Sequence, residues 1–290
     1  FNSSEGAYDR STAGDGARVQ TNGDFHLNAR GGRDSPDSIT VRGDVVATSF
    51  NPSTSSNTWQ EDTNISGDLI ESSDSAVVPQ VSGAITERIE TIENLDIEDQ
   101  NLHDGDIDLS GNETETIAED TYVDGDVLIS DDAVLTVADG ATLHVAGGLD
   151  IAGDARMAFD TKNGDIQTLI ENKADLSGNG SIRASGGNTA ELYVDDELEL
   201  KNTASITTAS DTHLEVYNTD KIQLHNEVNV TADEDVASNL WLYSSAEQID
   251  LVGDAGDGIR FTGVFYAPQS NVQLEDRMTI KGSFTFREFG

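Results

Sequence analysis

Apolar residues recur at every second position along most of the chain, in groups of only two or three. Alternation over so few residues predicts short β-strands that bury one face. A first series comprises Val127/Ile129, Leu135/Val137, Leu143/Val145, Leu149/Ile151 and Met157/Phe159. Two further series comprise Leu192/Val194, Leu198/Leu200, Leu214/Val216, Ile222/Leu224 and Val228/Val230, then Leu240/Leu242, Ile249/Leu251, Ile259/Phe261, Val264/Tyr266, Val272/Leu274 and Phe284/Phe286. Upstream pairs stand at Phe25/Leu27, Ile39/Val41 and Val45/Ala47.

The spacing of these pairs decides between folds. Strand starts from Val127 to Met157 are 8, 8, 6 and 8 residues apart, so three strands occupy about 22 residues. A three-sided coil that closes at that interval predicts an all-β, right-handed parallel β-helix, or β-solenoid. A β-sandwich is the alternative, because its short strands recur every 8–12 residues or so.

One helix is predicted, from Pro79 to about Glu98. The residues that fall on a single helical face are Val81, Ile85, Ile89, Ile92 and Leu95. This helix is expected to shield an end or a side of the solenoid. The chain then divides into N-terminal rungs (1–50), a polar insertion with the helix (51–100), and a main solenoid with a C-terminal cap (101–290).

The net charge of the chain restricts the kinds of partner that it can bind. The chain has 16 Lys and Arg against 55 Asp and Glu, a formal net charge of −39, and no Cys. Such a surface repels nucleic acid and anionic lipid. At molar salt the Debye length is about 3 Å and the self-repulsion is screened. We therefore expect a protein of a halophile.

No apolar run is long enough to span a bilayer, so the sequence predicts no membrane span. The sequence starts at Phe1 rather than Met. We expect that processing or truncation removed an N-terminal segment, which leaves room for a lost export signal or anchor.

The sequence contains few candidate catalytic or metal-binding residues. Asp104, Asp106 and Asp108 resemble a calcium loop, although the glycine of that pattern is replaced by Leu109. Ca²⁺ is thus the one cofactor that the sequence suggests. The five His have no zinc-site spacing, and no nucleophile elbow or phosphate-binding glycine pattern is present. We expect no enzymatic activity.

Two further features concern the surface. Sequons for N-glycosylation occur at Asn2, Asn64, Asn112, Asn179 and Asn229, as expected for an exported protein. Near the C-terminus, Phe284, Phe286 and Phe289 form an apolar segment with few charges. It is expected either to cap the last coil or to serve as an assembly edge. In the second case another subunit docks there by strand addition, at its Phe1–Tyr8 end.

The stretch Gly263-Val-Phe-Tyr-Ala-Pro-Gln-Ser-Asn-Val-Gln-Leu, followed by Ile280-Lys-Gly-Ser-Phe, resembles the C-terminal end of haloarchaeal PilX-like surface proteins. Ile39-Thr-Val-Arg-Gly-Asp-Val-Val and the helix after Pro79 fit the same layout. The resemblance implies an exported, type IV pilin-like protein with an N-terminal hydrophobic anchor and a β-solenoid domain. It implies no catalytic residues.

These observations predict an extracellular or cell-surface protein with a structural or adhesive role, associated with a filament or pilus. Its expected partners are its own subunits, other cell-surface proteins or glycans. A polysaccharide-active β-helix enzyme and a viral or receptor-type binding module are the alternatives.

Overall fold

The computed structural model describes residues 101–289 except 234, 235 and 255, the helix α1 (Ser82–Glu93), and seven short strands between Ala17 and Glu71. Strands are numbered in chain order. Every described strand pair is parallel, and the strands form the three sides of a β-solenoid, as predicted.

The three sides are lettered A, B and C. Side A contains β10 (Thr114–Ile117), β13 (Val134–Ala138), β16 (Arg156–Asp160), β19 (Ser181–Ser185), β22 (Ser205–Thr208), β25 (Asn229–Ala232), β3 (Ile39–Val41) and β6 (Thr63–Ile65). Side B contains β8 (Leu102–Asp104), β11 (Thr121–Asp124), β14 (Thr142–Val145), β17 (Ile166–Ile170), β20 (Thr189–Val194), β23 (His213–Asn218), β26 (Leu240–Ser244), β1 (Ala17–Thr21), β4 (Gly43–Ala47) and β7 (Leu69–Glu71).

Side C contains β9 (Ile107–Leu109), β12 (Val127–Ile129), β15 (Leu149–Ile151), β18 (Ala174–Leu176), β21 (Leu198–Asn202), β24 (Ile222–Asn226), β27 (Gln248–Gly253), β2 (Asp24–Phe25) and β5 (Ser49–Phe50). The last two strands, β28 (Ile259–Glu275) and β29 (Met278–Phe289), run continuously around all three sides. Short 3₁₀ turns occur at Thr161–Asn163 and Ala237–Asn239.

The coils are longer than the sequence spacing predicts. Val127 pairs with Leu149, 22 residues further on, but the solenoid averages about 24 residues per turn. The reason is that later coils have longer strands and corners. Strands β20 and β23 have six residues each where β11 has four, and the step from Ile222 to Ile249 contains the turn Ala237–Asn239.

The interior is a single apolar column. The predicted inward residues Leu143, Val145, Leu214 and Val216 are all fully buried in it. One predicted pair has the opposite phase: Phe265 is buried, and Val264 and Tyr266 on either side of it face outward and are half-exposed. The buried positions continue in phase from Ile259 through Phe261 and Phe265 to Ala267, so Val264 and Tyr266 fall on the outward face of the same strand.

The N-terminal strands extend the C-terminal end of the main solenoid. Strand β29 pairs with β3 on side A, with β1 on side B and with β2 on side C. Strands β4, β5 and β6 pair with β1, β2 and β3, and β7 follows on β4. The chain therefore begins its first coil on top of its last one. It returns past helix α1 to start the main solenoid at β8.

The described part of helix α1, Ser82–Glu93, lies within the predicted segment. Its central residues Ile85 and Ile89 are buried against the outer surface of side B, so it shields a side rather than an end. Leu27, most of the polar stretch, Val81 and Leu95 lie outside the described residues, as do the side chain of Ile92 and the positions of Pro79 and Glu98. Among the described residues no helix is long and apolar enough to cross a membrane.

Candidate functional site: an aromatic ladder beneath helix α1

Four tyrosines occupy the same outward position on successive coils of side B. Tyr193, Tyr217, Tyr243 and Tyr266 are consecutive register partners in β20, β23, β26 and β28. Neighbouring strands in a sheet are about 4.8 Å apart, which is close to ring-stacking distance. The rings of Tyr193 and Tyr217 are accordingly 4.7 Å apart, and those of Tyr217 and Tyr243 are 4.9 Å apart. We call these four residues the aromatic ladder.

The ladder presents ring edges rather than ring faces. The first two tyrosine pairs are parallel within 7° and 8°, so each face is covered by the next ring. Trp241 stacks on Tyr243 at 5.5 Å, and Tyr266 meets Tyr243 edge-on at 6.3 Å. A flat ligand such as a sugar ring needs an open aromatic face. The arrangement is better suited to packing a side of a helix against the ring edges.

Helix α1 covers the lower part of the aromatic ladder. Ile85 and Ile89 pack against Leu169, Tyr193 and Tyr217 as a small cluster separate from the interior column. Leu169 is the residue below Tyr193 in the same row. One turn of helix separates the two isoleucines, so both reach the same side. The described part of the predicted apolar face, Ile85 and Ile89, is thus buried on side B.

Arg88 holds helix α1 against the aromatic ladder through polar contacts. Its guanidinium forms an ion pair with Glu191, donates a hydrogen bond to the Tyr193 hydroxyl at 3.2 Å, and lies 3.7 Å from a carboxylate oxygen of Glu215. It also stands 5.2 Å from the centre of the Tyr217 ring, within cation–π range. One cation thereby neutralises carboxylates on two neighbouring coils.

Glu215 is the acid most strongly tied into this network. The ring Nε2 of His213 lies 3.0 Å from its carboxylate, and the Tyr217 hydroxyl donates to it as well. These hydrogen bonds outweigh partial burial and lower the pKa of Glu215 below its usual value. Burial has the opposite consequence for the tyrosines, and it raises the pKa of Tyr243 to about 12. At neutral pH the carboxylate is charged and the phenol is neutral, which keeps the network in its hydrogen-bonded form.

Further down the same row, His144 points away from the interior yet is only 2% exposed. Its Nε2 is 2.6 Å from the Glu171 carboxylate, and its ring meets Tyr122 edge-on at 4.8 Å. Its Nδ1 is buried, and no described residue hydrogen-bonds to it.

Side C has a second ladder, made of charges. Asp150, Asp175 and Glu199 are register partners on consecutive coils. Lys201 bridges two of them, at 2.9 Å from Asp175 and 3.1 Å from Glu199, and Lys173 pairs with Glu199. The lysines lower the pKa of Glu199, whereas burial beside Asp175 raises the pKa of Asp150.

A scan against protein-family models gave two overlapping matches to one family, described as a domain of unknown function, DUF7305, at residues 56–226 and 194–290. Together the matches include helix α1, the aromatic ladder and β29. The chain belongs to the DUF7305 family. No curated protein and no solved structure matches it.

In this DUF7305 chain the calcium candidates lie at a corner between sides B and C. The carboxylate of Asp106 accepts a hydrogen bond from the backbone amide of Asp126 at 2.8 Å, and Asp126 accepts one from Gly148 at 2.7 Å. These aspartates thus link one coil to the next. Asp104 ends β8 and Asp108 lies exposed on β9. Within the described part of the chain, no three His or acidic side chains form a group that could hold a metal ion.

The sequons differ in their surroundings. Asn112 is exposed at a corner, directly after Gly111. The Asn179 amide donates to Asp154 at 2.6 Å and its oxygen accepts from Thr203. Asn229 donates to the backbone carbonyl of Glu227, at the corner just before its strand. Asn64 lies on β6, and Asn2 lies outside the described residues.

The predicted assembly edge is an inner strand of the stack. Phe284 and Phe286 are each 1% exposed and pack with Phe261 and Phe265 in the interior. The backbone of β29 pairs with β28 on one side and with β1 on the other. Phe289 pairs with Phe25, and its side chain lies outside the described ones, as does the whole Phe1–Tyr8 segment. The strand addition predicted between subunits is therefore found within one chain.

Alternation along the sequence does not reveal the aromatic ladder. The predicted inward pair Val264/Tyr266 places Tyr266 on the wrong face. The available signal was the separation of Tyr193, Tyr217, Tyr243 and Tyr266, each about one coil apart and each between two inward positions. The outward position of Glu215 between Leu214 and Val216 predicts that replacement by Lys is nearly neutral. The structure gives Glu215 three partners, His213, Tyr217 and Arg88, which that prediction does not take into account.

Proposed function

We propose that this DUF7305 protein is an exported, salt-adapted structural or adhesive protein of the cell surface, acting as a rigid rod within or alongside a filament or pilus. The observation that carries the proposal is the continuous parallel stack from β8 through β29 to β7, in which every coil is held by backbone hydrogen bonds to its neighbours. Such a stack resists bending and displays long, repetitive faces.

Salt adaptation is supported by how the scarce cations are used. The chain has five Lys in all. Three of them, Lys173, Lys201 and Lys221, are paired with carboxylates of side C. Most other carboxylates must rely on counterions from solution, because the net charge is −39. Molar salt supplies that screening.

The surface location and the filament association rest on the PilX-like resemblance and on the sequons. Under this proposal the long faces bind other surface components, and the chain acts as a scaffold rather than a catalyst. The alternative of a polysaccharide-active enzyme is less well supported, since the aromatic ladder lends its ring faces to stacking and its edges to α1.

Immunogold electron microscopy of the cells that produce the chain tests the proposal. We expect label on the cell surface or on filaments in molar salt, and loss of label in cells whose gene has been deleted. Label confined to the cell interior would overturn the proposal. Turnover of any glycan by the purified protein, in a screen against exopolysaccharides at the same salt, would favour the enzyme instead.

A further inference from the structure

The joint between the last coil of the main solenoid and the first N-terminal coil differs from every other contact in the stack. Arg18–Thr21 pair in register with Ser283–Phe286, and Ile39–Val41 pair with Met278–Ile280. These partners come from opposite ends of the chain. Other described neighbouring coils are connected by roughly one turn of chain, whereas the two sides of this joint are connected only through the return past α1.

The joint can therefore open without unwinding any coil. Opening it would expose the interior residues Phe284, Phe286, Met278 and Ile280, all of which are at most 2% exposed. An apolar end of this kind does not remain in water, because the exposed area is costly. The end must be covered again by a segment with the same strand pattern.

We infer that this joint is exchangeable: the N-terminal coils of one copy, β1–β7, add to β29 of a second copy, linking chains by coil exchange. The inference rests on the proposed structural role and names the subunit contact that serves it. The exchanged contact is the one already present within the chain, so it needs no new complementarity. Exchange of an identical element between copies is a low-cost route to assembly.

The other end of the stack is less suited to receive a partner. The interior residues of its first coil, Ile107, Leu109 and Ile117, are already at most 8% exposed although they have no described coil beneath them, and the large apolar side chain exposed on that coil is Leu102, at 57%. An added copy could bury Leu102 but little of the interior there. The joint at β29 is therefore the contact to which we assign assembly.

Helix α1 sets the geometry of the exchange. It remains fastened to side B by Ile85, Ile89 and Arg88 whichever copy receives the N-terminal coils. Eleven peptide units connect Glu71 to Ser82, and they reach at most about 36 Å to 40 Å. The end of β7 in the receiving stack must lie within that distance of the donor's α1, and β7 stands three strands from the receiving β29. This favours chains that meet side by side or end to end.

Cysteine cross-linking tests the exchange directly, because the natural chain contains no Cys. Positions 20 and 285 are register partners across the joint. Partners in neighbouring strands are about 4.8 Å apart, a Cα separation that a disulfide spans. We would mix the single variants Gln20→Cys and Thr285→Cys at high concentration in molar salt, incubate, and oxidise. The expected product is a disulfide-linked heterodimer.

The matched control uses Thr207→Cys and Thr231→Cys, register partners on adjacent coils that belong to one continuous stretch of chain. Mixing these two variants should give no heterodimer above the level of chance collision. Equal yields from the two mixtures, or no heterodimer from the first, would overturn the inference. If either joint variant fails to fold by circular dichroism, Arg18→Cys and Ser283→Cys provide a second register pair.

A locked form gives an independent measurement. The double variant Gln20→Cys/Thr285→Cys, oxidised when dilute, closes the joint within one chain. We expect light scattering to show oligomers of the natural chain that grow with concentration, and only monomer for the locked form. A natural chain that stays monomeric at millimolar concentration would contradict coil exchange. In that case, surface label in the electron microscopy experiment would still support the proposed function. The two proposals can therefore be contradicted independently of each other.

Discussion

Replacing Arg88 by Met should loosen helix α1 from the aromatic ladder. The methionine keeps an apolar stem but removes the charge that contacts Glu191, Glu215 and the Tyr217 ring. The Arg88 side chain is 47% exposed, so its ion pair with Glu191 is worth no more than about 1 kcal/mol. The cation–π contact contributes about 0.5–1 kcal/mol at such a site.

A third contribution comes from the carboxylates left behind. Glu191 and Glu215 are register partners on adjacent coils, with side chains only 16% and 19% exposed. Without Arg88 their mutual repulsion is no longer offset, which adds roughly 0.5 kcal/mol by analogy with like charges in neighbouring positions. The total cost is about 2 kcal/mol, of which the Coulombic part shrinks as salt is raised.

Near-UV circular dichroism of the stacked tyrosines and limited proteolysis around α1 measure this loosening. We expect a weaker tyrosine signal and faster cleavage in Arg88→Met, and an intermediate result in Arg88→Lys, because lysine keeps the charge but lacks the planar group. The matched control is Arg183→Met, an exposed arginine on side A. If Arg88→Met behaved like that control at 1 M salt and below, the assignment of Arg88 as the fastening residue would be refuted.

Four other outcomes are expected. Gly125→Ala should destabilise the fold by about 1–3 kcal/mol in chemical denaturation, because its Cβ would lie 2.6 Å and 2.7 Å from the backbone carbonyl carbon and oxygen of Gly105. Gly83→Ala in α1 meets nothing within 4 Å and should be neutral or stabilising. The interactions that lower the pKa of Glu215 stabilise the folded state above about pH 4.3, and this stability is lost as pH falls through the pKa of Glu215 in the folded state. The tyrosine circular dichroism signal between pH 7 and 3 should show this loss, and Glu215→Gln should make the signal less dependent on pH. Dialysis from about 2 M to millimolar salt should abolish the β-sheet dichroism, since a charge of −39 is then unscreened; an unchanged thermal transition at low salt would contradict the halophile interpretation. Mass spectrometry of the protein from its producing cells should find any N-glycan at Asn112 rather than at the hydrogen-bonded Asn179.

Much of the fold follows from local patterns in the sequence. Period-two alternation identified many of the inward residues from Val127 onward, because each wall of a coil has one buried face and one solvent-facing face. It did not identify those of β17 to β19, such as Ile166, Leu176 and Ile182. Spacing of the strands then predicted a solenoid. The coil length was underestimated since longer corners and the turn Ala237–Asn239 leave the alternation untouched. Val264/Tyr266 was predicted on the wrong face, because the apolar outward residues there resemble an inward pair, whereas the buried positions continue in phase from Ile259 to Ala267.

The candidate site was harder to predict from the sequence than the fold. Ile85 and Ile89 predicted a helix with one apolar face, but nothing local says which surface that face meets. The aromatic ladder exists only once successive coils are aligned, because residues about 24 positions apart become neighbours 4.7–4.9 Å apart. Arg88 meets Glu191 over a separation of 103 residues, a contact that charge patterning does not show.

By itself, the sequence determined the class of fold and many of the inward positions, because alternation and spacing are local properties of the chain. Only the tertiary structure decided where the N-terminal coils stack and what α1 covers. Parallel strands pair through backbone groups, which are the same at nearly every residue. Nothing in the local sequence of β1 therefore identifies β29 as its partner. The choice of partner is made by the whole path of the chain, which brings its first coil onto its last.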